Sequence, residues 1–273
     1  MTRLDAKVVR RELGESTIAR LATLEAFEEI DSTKSYLMRQ AAPAPGQVHV
    51  AITDNQTSGR GRHGRTWLSP PGSGLCLSLA YTFAAQPGNL PALTLAVGLG
   101  VIEALERAGV DGVRLKWPND LIADDGKLGG ILTETLSQSS GATSVVTGVG
   151  INIDLGSHPG FDNGLDSLRH AVDLARLADE VPSANTLATH LIVGLVSTFG
   201  AYDERGFSGF QHRWSGKDWL RGRTVTVSTP HQEVTGVGAG IADDGALLVE
   251  TSAGECCRIT SGTVLDAGRE AGE

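Results

Sequence analysis

The sequence predicts an α+β fold, with a mixed β-sheet domain flanked by helices over residues 1–220 and a small C-terminal β-barrel over residues 221–273. Strand-like runs follow one another through short polar turns, which indicates a mixed or antiparallel sheet rather than an alternating βαβ array. Long apolar segments with helical spacing lie before and after these runs. From Gly222 onward, short strand-like segments divided by glycine and aspartate turns are typical of a small barrel.

An N-terminal helix is predicted where apolar residues recur at helical spacing up to Gly14, which is well placed to end it. The apolar positions are Leu4, Val8, Val9 and Leu13. Only residues 1–30 precede Asp31, which is too few for a winged helix-turn-helix module of ordinary domain size. The chain is therefore expected to lack a DNA-binding module of that kind.

A second helix is predicted from Ser32 or Thr33, either of which can cap it, to about Ala42. A cluster of proline and glycine after Ala42 ends this helix. Strands are predicted next, at residues 48–53 and 75–83.

The middle of the chain holds a long helix and three strands. Residues 90–108 are apolar nearly all round, with Pro91 in the first turn and Gly109 after the last, so a buried helix is predicted. The strands predicted after it are residues 113–117, 130–136 and 144–153, with a polar turn at residues 123–126.

The remaining segments are one amphipathic helix and a run of short strands. Leucine, Phe199 and Tyr202 side chains share one face over residues 187–202, which predicts the helix. Residues 206–218 are expected to form an irregular connection. The strands predicted after it are residues 223–229, 233–241, 246–251, 255–260 and 263–266.

Composition and charge narrow the function classes. The 273 residues carry a formal net charge of −9 at pH 7, which argues against a broad nucleic-acid surface, because phosphate neutralisation needs clustered lysine and arginine. With only Cys76 and the adjacent pair Cys256 and Cys257, neither a disulfide framework nor a zinc site is predicted. No signal-type core follows the polar N-terminus and no apolar run approaches the length of a bilayer, so a cytoplasmic location is expected.

The strongest local feature is the loop at residues 59–65 (GRGRHGR), followed by Trp67 and called the arginine loop below. Glycines let the backbone approach a ligand, and arginines offer forked donors, so the loop indicates a site for carboxylate or phosphate. A solvated surface loop or a short RNA-binding tract fits the same residues. The loop also matches the dinucleotide fingerprint in form, but it is a poor entry to a helix and no acidic ribose ligand falls at the right offset.

Three further features place polar groups or glycines on strands. Asn119 and Asp120 follow residues 116–118 (KWP), where they suit a metal–phosphate group or an ordinary turn. Lys127 precedes two glycines at the mouth of a strand, either as an anion partner or as an exposed turn lysine. Alternate glycines in residues 148–152 (GVGIN) indicate either a flat ligand or a closely packed helix.

Together and in this order, these features resemble the biotin protein ligases, in the short form without an N-terminal DNA-binding domain. The matching stretches are residues 31–33 (DST), 56–67 (QTSGRGRHGRTW), 116–121 (KWPNDL), 127–134 (KLGGILTE), 148–152 (GVGIN) and 245–250 (GALLVE). The arginine loop together with the Lys-Trp-Pro-Asn-Asp segment is rarely seen elsewhere. The resemblance implies a biotin/lipoate-ligase-like catalytic domain over residues 1–220 and a small barrel domain packed on it over residues 221–273.

The resemblance implies an enzyme that uses ATP to activate biotin as biotinyl-5′-AMP and then transfers biotin to a specific lysine of a biotin carboxyl carrier protein or carrier domain. Arg62 and Lys127 are then the catalytic cations. The residues expected at biotin are Ser32, Thr33, Gln56, Gly59, Arg60, Gly61, Arg62, Lys127, Gly130 and Gly148. Those expected at ATP or the adenylate are Arg62, Arg65, Trp67, Asn119, Asp120, Lys127 and Asn152, with Asp120 also meeting Mg²⁺.

Partners follow from the same resemblance. A biotin-dependent carboxylase supplies the carrier, neither nucleic acid nor a membrane is expected, and a homodimer is left open. Lys34 departs from the family, which usually continues the Ser-Thr pair with asparagine, so the ligand contacts next to it are open.

Three other functions remain to be separated from this one. Related families with the same catalytic fold attach lipoate or octanoate. Some biotin ligases are also biotin-sensing repressors, which the short N-terminus and the acidic balance disfavour. An inactive protein that only binds the adenylate is disfavoured because Arg62 and Lys127 are both present.

Overall fold

The computed structural model describes residues 3–139, 141–156 and 171–270. Its α-helices are α1 (Ala6–Glu12), α2 (Glu15–Ile18), α3 (Thr33–Met38), α4 (Leu93–Arg107), α5 (Leu174–Leu177), α6 (Ala184–Arg205) and α7 (Gln211–Trp214). Its strands are β1 (Leu21–Phe27), β2 (Val48–Thr53), β3 (Gly74–Phe83), β4 (Arg114–Lys116), β5 (Asp120–Ala123), β6 (Gly126–Ser139), β7 (Ala142–Asn152), β8 (Arg223–Ser228), β9 (Glu233–Ile241), β10 (Leu247–Glu250), β11 (Cys256–Ile259) and β12 (Thr263–Glu270).

A seven-stranded sheet forms the centre of the first domain, in the order β1-β2-β3-β7-β6-β5-β4. β1 and β2 are parallel and the other neighbours are antiparallel, so the mixed sheet is confirmed. Every residue of β3 is buried, as expected for a central strand that is covered on both faces. α3 packs against β2, β3 and β7, while α6 contacts β3 and α4 contacts β6.

Glycines bring α4 and α6 into close contact. Gly100 of α4 faces Thr198 of α6, and a Cβ atom added at position 100 would collide with the threonine side chain. A Cβ atom added at Gly194 would lie 2.8 Å from the carbonyl oxygen of Gly100. The distance between packed helices is set by the side chains at their contact, so these small residues let the two backbones approach.

Some local features differ from the expectation. The sequence does not predict β1, in which only Leu21 is buried and the apolar periodicity is weak, nor the short strand β5. α3 ends at Met38 rather than near Ala42, and Ser32 caps it by accepting a hydrogen bond from the Ser35 N–H. The connection expected to be irregular contains α7 and a 3-10 turn.

The C-terminal strands form a second, antiparallel sheet in the order β11-β10-β9-β8-β12. All the strands predicted in this part of the chain are present. Register shifts between β9 and β10 and between β8 and β12 mark irregularities of the kind that bend a sheet. Among residues 171–270, no ladder joins β11 to β12, so the antiparallel sheet is found and the closed barrel stays a prediction.

The two sheets share one hydrophobic core. Val225, Leu247 and Val249 of the C-terminal sheet belong to the same cluster of buried side chains as the first domain. The buried Trp117 donates a hydrogen bond from its indole Nε1 to the carbonyl oxygen of Gly245, at 3.0 Å. The C-terminal sheet is therefore fixed against the seven-stranded sheet by both apolar packing and a buried hydrogen bond.

α6 corrects one expectation about apolar runs. With 22 residues and a mean hydropathy of 1.2 over its 18-residue window, it is long and apolar enough, by length and composition, to cross a membrane. Yet 72% of that window is buried inside the protein. The helix contacts α4 and β3, as the core helix of a domain does.

Candidate active site

A cavity of about 640 Å³ lies over the central sheet, beneath the arginine loop. The start of α3, strands β3, β6 and β7, the arginine loop and residues 263–264 all contribute to its wall. Of the residues predicted to bind ligands, all but Gly59 line it: Ser32, Thr33, Gln56, Arg60, Gly61, Arg62, Arg65, Trp67, Asn119, Asp120, Lys127, Gly130, Gly148 and Asn152. The fold thus brings motifs that are far apart in the sequence to one site.

Glycines in two neighbouring strands leave part of the cavity floor without side chains. Gly130 of β6 pairs with Gly150 of β7, and Gly148 is two residues away along β7. Trp67 lies over Gly150, where an added Cβ atom would come within 2.5 Å of the indole ring. At Gly148 an added Cβ atom would meet the Ser78 hydroxyl at 3.4 Å, which is looser. Close packing therefore explains the glycine at 150, whereas a Cβ atom at Gly148 would make only ordinary van der Waals contacts, with Ser78 and with the stem of Lys34.

Buried hydroxyl and amide groups occupy one corner of the cavity. The Thr33 N–H donates to Gln56 Oε1 at 2.8 Å, and the Thr33 and Ser78 hydroxyl oxygens are also 2.8 Å apart. Ser32 lies next to them as the cap of α3. A few convergent polar groups in an otherwise apolar cavity are what orient a small ligand. Sequence reasoning missed Ser78, although a serine in a wholly buried strand was a usable signal.

The arginine loop folds back on itself as a short hairpin. The Gly61 N–H donates to the Arg65 carbonyl at 2.7 Å, and the Trp67 N–H donates to the Gly59 carbonyl at 3.0 Å. His63, at the tip, has a positive φ of 56°. A Cβ atom at Gly59 would collide with the Trp67 carbonyl oxygen. Glycine at 59 is therefore required by the hairpin, which in turn carries Trp67 onto the sheet.

Arg62 connects the loop to both sheets. Its Nη1 donates to Asn119 Oδ1 at 3.3 Å and to the Gly262 carbonyl oxygen at 3.5 Å. Burial lowers the pKa of Arg62, Asp120 opposes that shift, and Arg65 adds to it. Arginine has so high an intrinsic pKa that the guanidinium stays charged near neutral pH. The cavity therefore contains a half-buried cation in a low-dielectric wall.

Lys127 is another cation of the cavity. Its Nζ lies 2.7 Å from Asp120 Oδ1 and 5.9 Å from the centre of the Trp67 ring. Its carbonyl oxygen accepts hydrogen bonds from Asn152 Nδ2, at 3.2 Å, and from the Val172 N–H, at 3.0 Å. These contacts hold the backbone and the ammonium of Lys127 at once, so the cation faces the cavity before any ligand arrives.

The turn ahead of Lys127 is tied to the segment that leads into the C-terminal sheet. Asp125 Oδ1 accepts hydrogen bonds from Trp219 Nε1 and from Arg223, both at 3.1 Å. The Arg223 guanidinium lies over the Trp219 ring, 4.2 Å from its centre. The sequence did not predict two contacts, because each joins distant segments of the chain. One is the support that the C-terminal part gives to the turn before Lys127, and the other is the reach of residues 262–264 to the cavity.

Asp120 is the residue predicted to meet a metal. Within the described ranges, no group of three or more His, Cys, Asp or Glu is arranged to hold a metal ion. The Asp120 carboxylate is paired with Lys127. A single carboxylate suits Mg²⁺, which is commonly held by one or two carboxylates together with the phosphates of a nucleotide.

Cys76 lines the cavity but is not a nucleophile. The side chain is buried, and its Sγ donates to the Ser69 hydroxyl at 3.3 Å. Burial raises the pKa of Cys76 to about 11, so the thiol is neutral at physiological pH. Only the thiolate attacks efficiently. The burial of Cys76 therefore disfavours a cysteine intermediate at this site.

Comparison with known protein families matches both parts of the chain. The biotin/lipoate A/B protein ligase family matches residues 26–152, and the biotin protein ligase C terminal domain matches residues 221–265.

Individual relatives of this chain are also biotin protein ligases. The bifunctional ligase/repressor BirA of Escherichia coli (strain K12) is 33% identical over 250 residues, which are 90% of this chain and 73% of that protein. The biotin--[acetyl-CoA-carboxylase] ligase of Paracoccus denitrificans is 30% identical, over 82% of this chain and 92% of that protein. A solved biotin protein ligase from Aquifex aeolicus, in complex with biotin and ATP, is 27% identical with a TM-score of 0.72, and the match covers 89% of this chain and 97% of that one.

Proposed function

This chain belongs to the biotin protein ligases of the biotin/lipoate A/B protein ligase family, and we propose how its own residues carry out the reaction of that family. The enzyme activates biotin with ATP and transfers it to a carrier protein. The meeting of Arg62, Lys127 and Trp67 in one cavity is the observation that carries the assignment of roles.

The first half-reaction joins two anions. A carboxylate oxygen of biotin attacks the α-phosphorus of ATP, the bond from that phosphorus to the β-phosphate oxygen breaks, and pyrophosphate leaves. Repulsion between the anions is a large part of the barrier, so Arg62 and Lys127 lower it by position and charge. Asp120 holds Lys127 in place and is proposed to contact the Mg²⁺ that accompanies ATP.

The two ligands are assigned to opposite parts of the cavity. Trp67 lies over Gly150 and is proposed to receive the adenine, since aromatic rings stack readily on nucleotide bases. Biotin is proposed to contact Ser32, Thr33, Gln56, Arg60, Gly61, Arg62, Lys127, Gly130 and Gly148, while Gly59 does not line the cavity and serves the hairpin instead. ATP or the adenylate is proposed to contact Arg62, Arg65, Trp67, Asn119, Asp120, Lys127 and Asn152.

The second half-reaction is aminolysis of the mixed anhydride. The lysine amine of the carrier attacks the biotinyl carbonyl carbon, the bond from that carbon to the phosphate oxygen breaks, AMP leaves, and the amine loses a proton. No protein nucleophile is needed, in agreement with the neutral, buried thiol of Cys76. Because water also cleaves the anhydride, the arginine loop is proposed to close over it as a lid.

The wider setting is proposed on the same basis. The carrier is a biotin carboxyl carrier protein or the equivalent domain of a biotin-dependent carboxylase. We propose a cytoplasmic enzyme. The net charge of −9 supports one that does not bind nucleic acid, and the burial of α6 supports one that does not enter a membrane. We further propose a catalytic domain over residues 1–220, closure of the residue 221–273 sheet into a small barrel, and a ligand-dependent homodimer.

Intact-mass analysis of an apo biotin-carrier domain tests this proposal. The purified protein, ATP and Mg²⁺ are mixed with the carrier and with biotin, lipoate or octanoate in parallel. A biotin-sized mass increase is expected, and Lys127→Ala is expected to slow adenylate formation about a hundredfold, as the loss of one transition-state partner does. Lys7→Ala, an exposed lysine of α1, is the matched control and should keep full activity.

Each other outcome is decisive. A mass increase only with lipoate or octanoate would move the enzyme to the sister activity. No increase with any acid would refute the ligase assignment for this chain. Near-normal adenylation by a folded Lys127→Ala variant would refute the role given to that lysine.

A further inference from the structure

Lys34 crosses the sheet face at one end of the cavity. It follows Thr33 on α3, its side chain is only 9% exposed, and its Nζ lies 2.6 Å from Glu134 Oε1 on β6. The stem of Lys34 passes over Gly148 of β7, since its Cβ and Cδ atoms lie 3.7 and 3.8 Å from a Cβ atom placed there. A nearly buried ammonium is stable only when it is paired, so Glu134 pins the whole side chain.

The order of contacts along β7 shows which end of the cavity this is. Lys34 lies over Gly148, Trp67 lies over Gly150, and Asn152 hydrogen-bonds the Lys127 carbonyl. Alternate residues of a strand share one face and are about 7 Å apart. Lys34 therefore stands at the end of this row remote from the Lys127 carbonyl. The Lys127 ammonium lies 3.6 Å from a Cβ atom placed at Gly130, which pairs with Gly150, one step along β7 from the stem of Lys34. With the biotin carboxylate at this ammonium, the fused rings of biotin are proposed to point towards Lys34.

Beyond Lys34 there is a second cavity, of about 620 Å³, between the arginine loop and α3. Both cavities are lined by loop residues 60–63, and apart from the loop they share Lys34 and Leu132. Glu134 lines only the second cavity. The pinned stem of Lys34 is thus part of the partition between the two spaces.

We propose that Lys34 is a specificity-determining residue, whose stem, held by Glu134, ends the biotin cavity and sets the size of the ring system that the enzyme accepts. This inference rests on the proposed function. A shorter side chain such as asparagine would not carry the same contact across β7 to β6. The closed end is therefore built in this chain by a longer side chain and an ion pair.

Isothermal titration calorimetry with biotin, and with biotin alkylated on a ureido nitrogen, tests the inference without the carrier or ATP. The measured quantity is the ratio of the two dissociation constants, analogue over biotin. Lys34→Ala opens the partition and is expected to lower this ratio at least tenfold. Lys34→Met keeps the stem without the charge and is expected to keep the ratio within about threefold. Glu134→Gln is expected to lower it, because the released ammonium turns towards water.

Equal ratios in the wild type and in a folded Lys34→Ala variant would overturn the inference. So would a matching loss of biotin affinity in Lys34→Ala and Lys34→Met with unchanged ratios, since Lys34 would then be a carboxylate partner. An unchanged ratio in Glu134→Gln would show that Glu134 does not hold the Lys34 side chain in place. If the wild-type enzyme did not bind biotin at all, the proposed function itself would fail, which is a distinguishable result.

Discussion

At the scale of single residues, the absence of a side chain at Gly150 shapes the site as much as any charged group. The Trp67 indole fills the space that a Cβ atom would take, and Lys127 approaches the same ring. An aromatic face beside an ammonium gives a cation–π contact worth about 0.5–1 kcal/mol at exposed sites and more when desolvated. The glycine, the ring and the cation therefore act as one unit.

We expect Gly150→Ala to weaken ATP binding at least tenfold while changing the biotin dissociation constant less than threefold. The added methyl group would lie within 2.5 Å of the indole, so Trp67 must leave its place. Stacking of a base on an aromatic ring is worth about 1–3 kcal/mol, and 1.4 kcal/mol is a factor of ten. Calorimetric titration with each ligand measures the two constants.

Gly216→Ala is the matched control, because nothing lies within 4 Å of that exposed glycine. Equal losses for ATP and biotin in Gly150→Ala would show that Trp67 does not serve the nucleotide alone.

At the scale of elements, α4 and α6 are packed through glycines although both are helices. Alanine is a better helix former than glycine by about 1 kcal/mol, so an isolated helix would gain from the exchange. The crossing reverses that preference, because Gly100 meets Thr198 directly. Packing between the helices therefore decides which residue is tolerated.

Gly100→Ala is expected to lower the free energy of unfolding by about 1–2 kcal/mol. Overpacking a well-filled core costs about 1–3 kcal/mol, which outweighs the gain in helix propensity. Urea denaturation followed by far-UV circular dichroism measures the change. Gly216→Ala again serves as the control, and a stabilised Gly100→Ala variant would contradict the close crossing.

The elements that the sequence predicted are those with strong local signals. α4 is apolar nearly all round with a proline at its entry, and β2 and β3 are mostly apolar runs bounded by turn residues. β1 has one buried residue, so its apolar pattern is too faint to distinguish it from a loop. Pairing with β2 stabilises it, and that contact is not encoded in its own residues.

At the scale of the whole molecule, the catalytic sheet and the C-terminal sheet form one core. Trp117 and Gly245 are joined by a buried hydrogen bond, and Arg62 reaches the Gly262 carbonyl. Asp125, which precedes Lys127 by two residues, is held by Arg223. The site is therefore completed by both parts of the chain.

We expect the protein to unfold in one cooperative transition, and Trp117→Phe to lower the free energy of unfolding by about 1–3 kcal/mol. The substitution leaves the buried Gly245 carbonyl without its donor, and an unsatisfied buried acceptor costs about that much. Thermal unfolding followed by near-UV and far-UV circular dichroism should give coincident curves. Two separate transitions would contradict the shared core.

The same distinction between local and distant contacts explains what was predictable in the site. The arginine loop, Lys127 and Asn119 stand in recognisable motifs, so their meeting in one cavity was expected. The contact of Ser78 with Thr33 and the ion pair of Lys34 with Glu134 depend on which faces of three strands and a helix come together. Register and packing set those faces, and no single segment specifies them.

Because residues 262–264 reach the cavity, the site depends on a part of the chain that is synthesised near the end of translation. A nascent chain that has left the ribosome only as far as α6 already holds the arginine loop, Lys127 and Trp67, but it lacks the Gly262 carbonyl that binds Arg62 and the wall formed by Thr263 and Val264. Domains generally fold as units during translation. Because both sheets share one core, the site is complete only after the C-terminal sheet has emerged and docked.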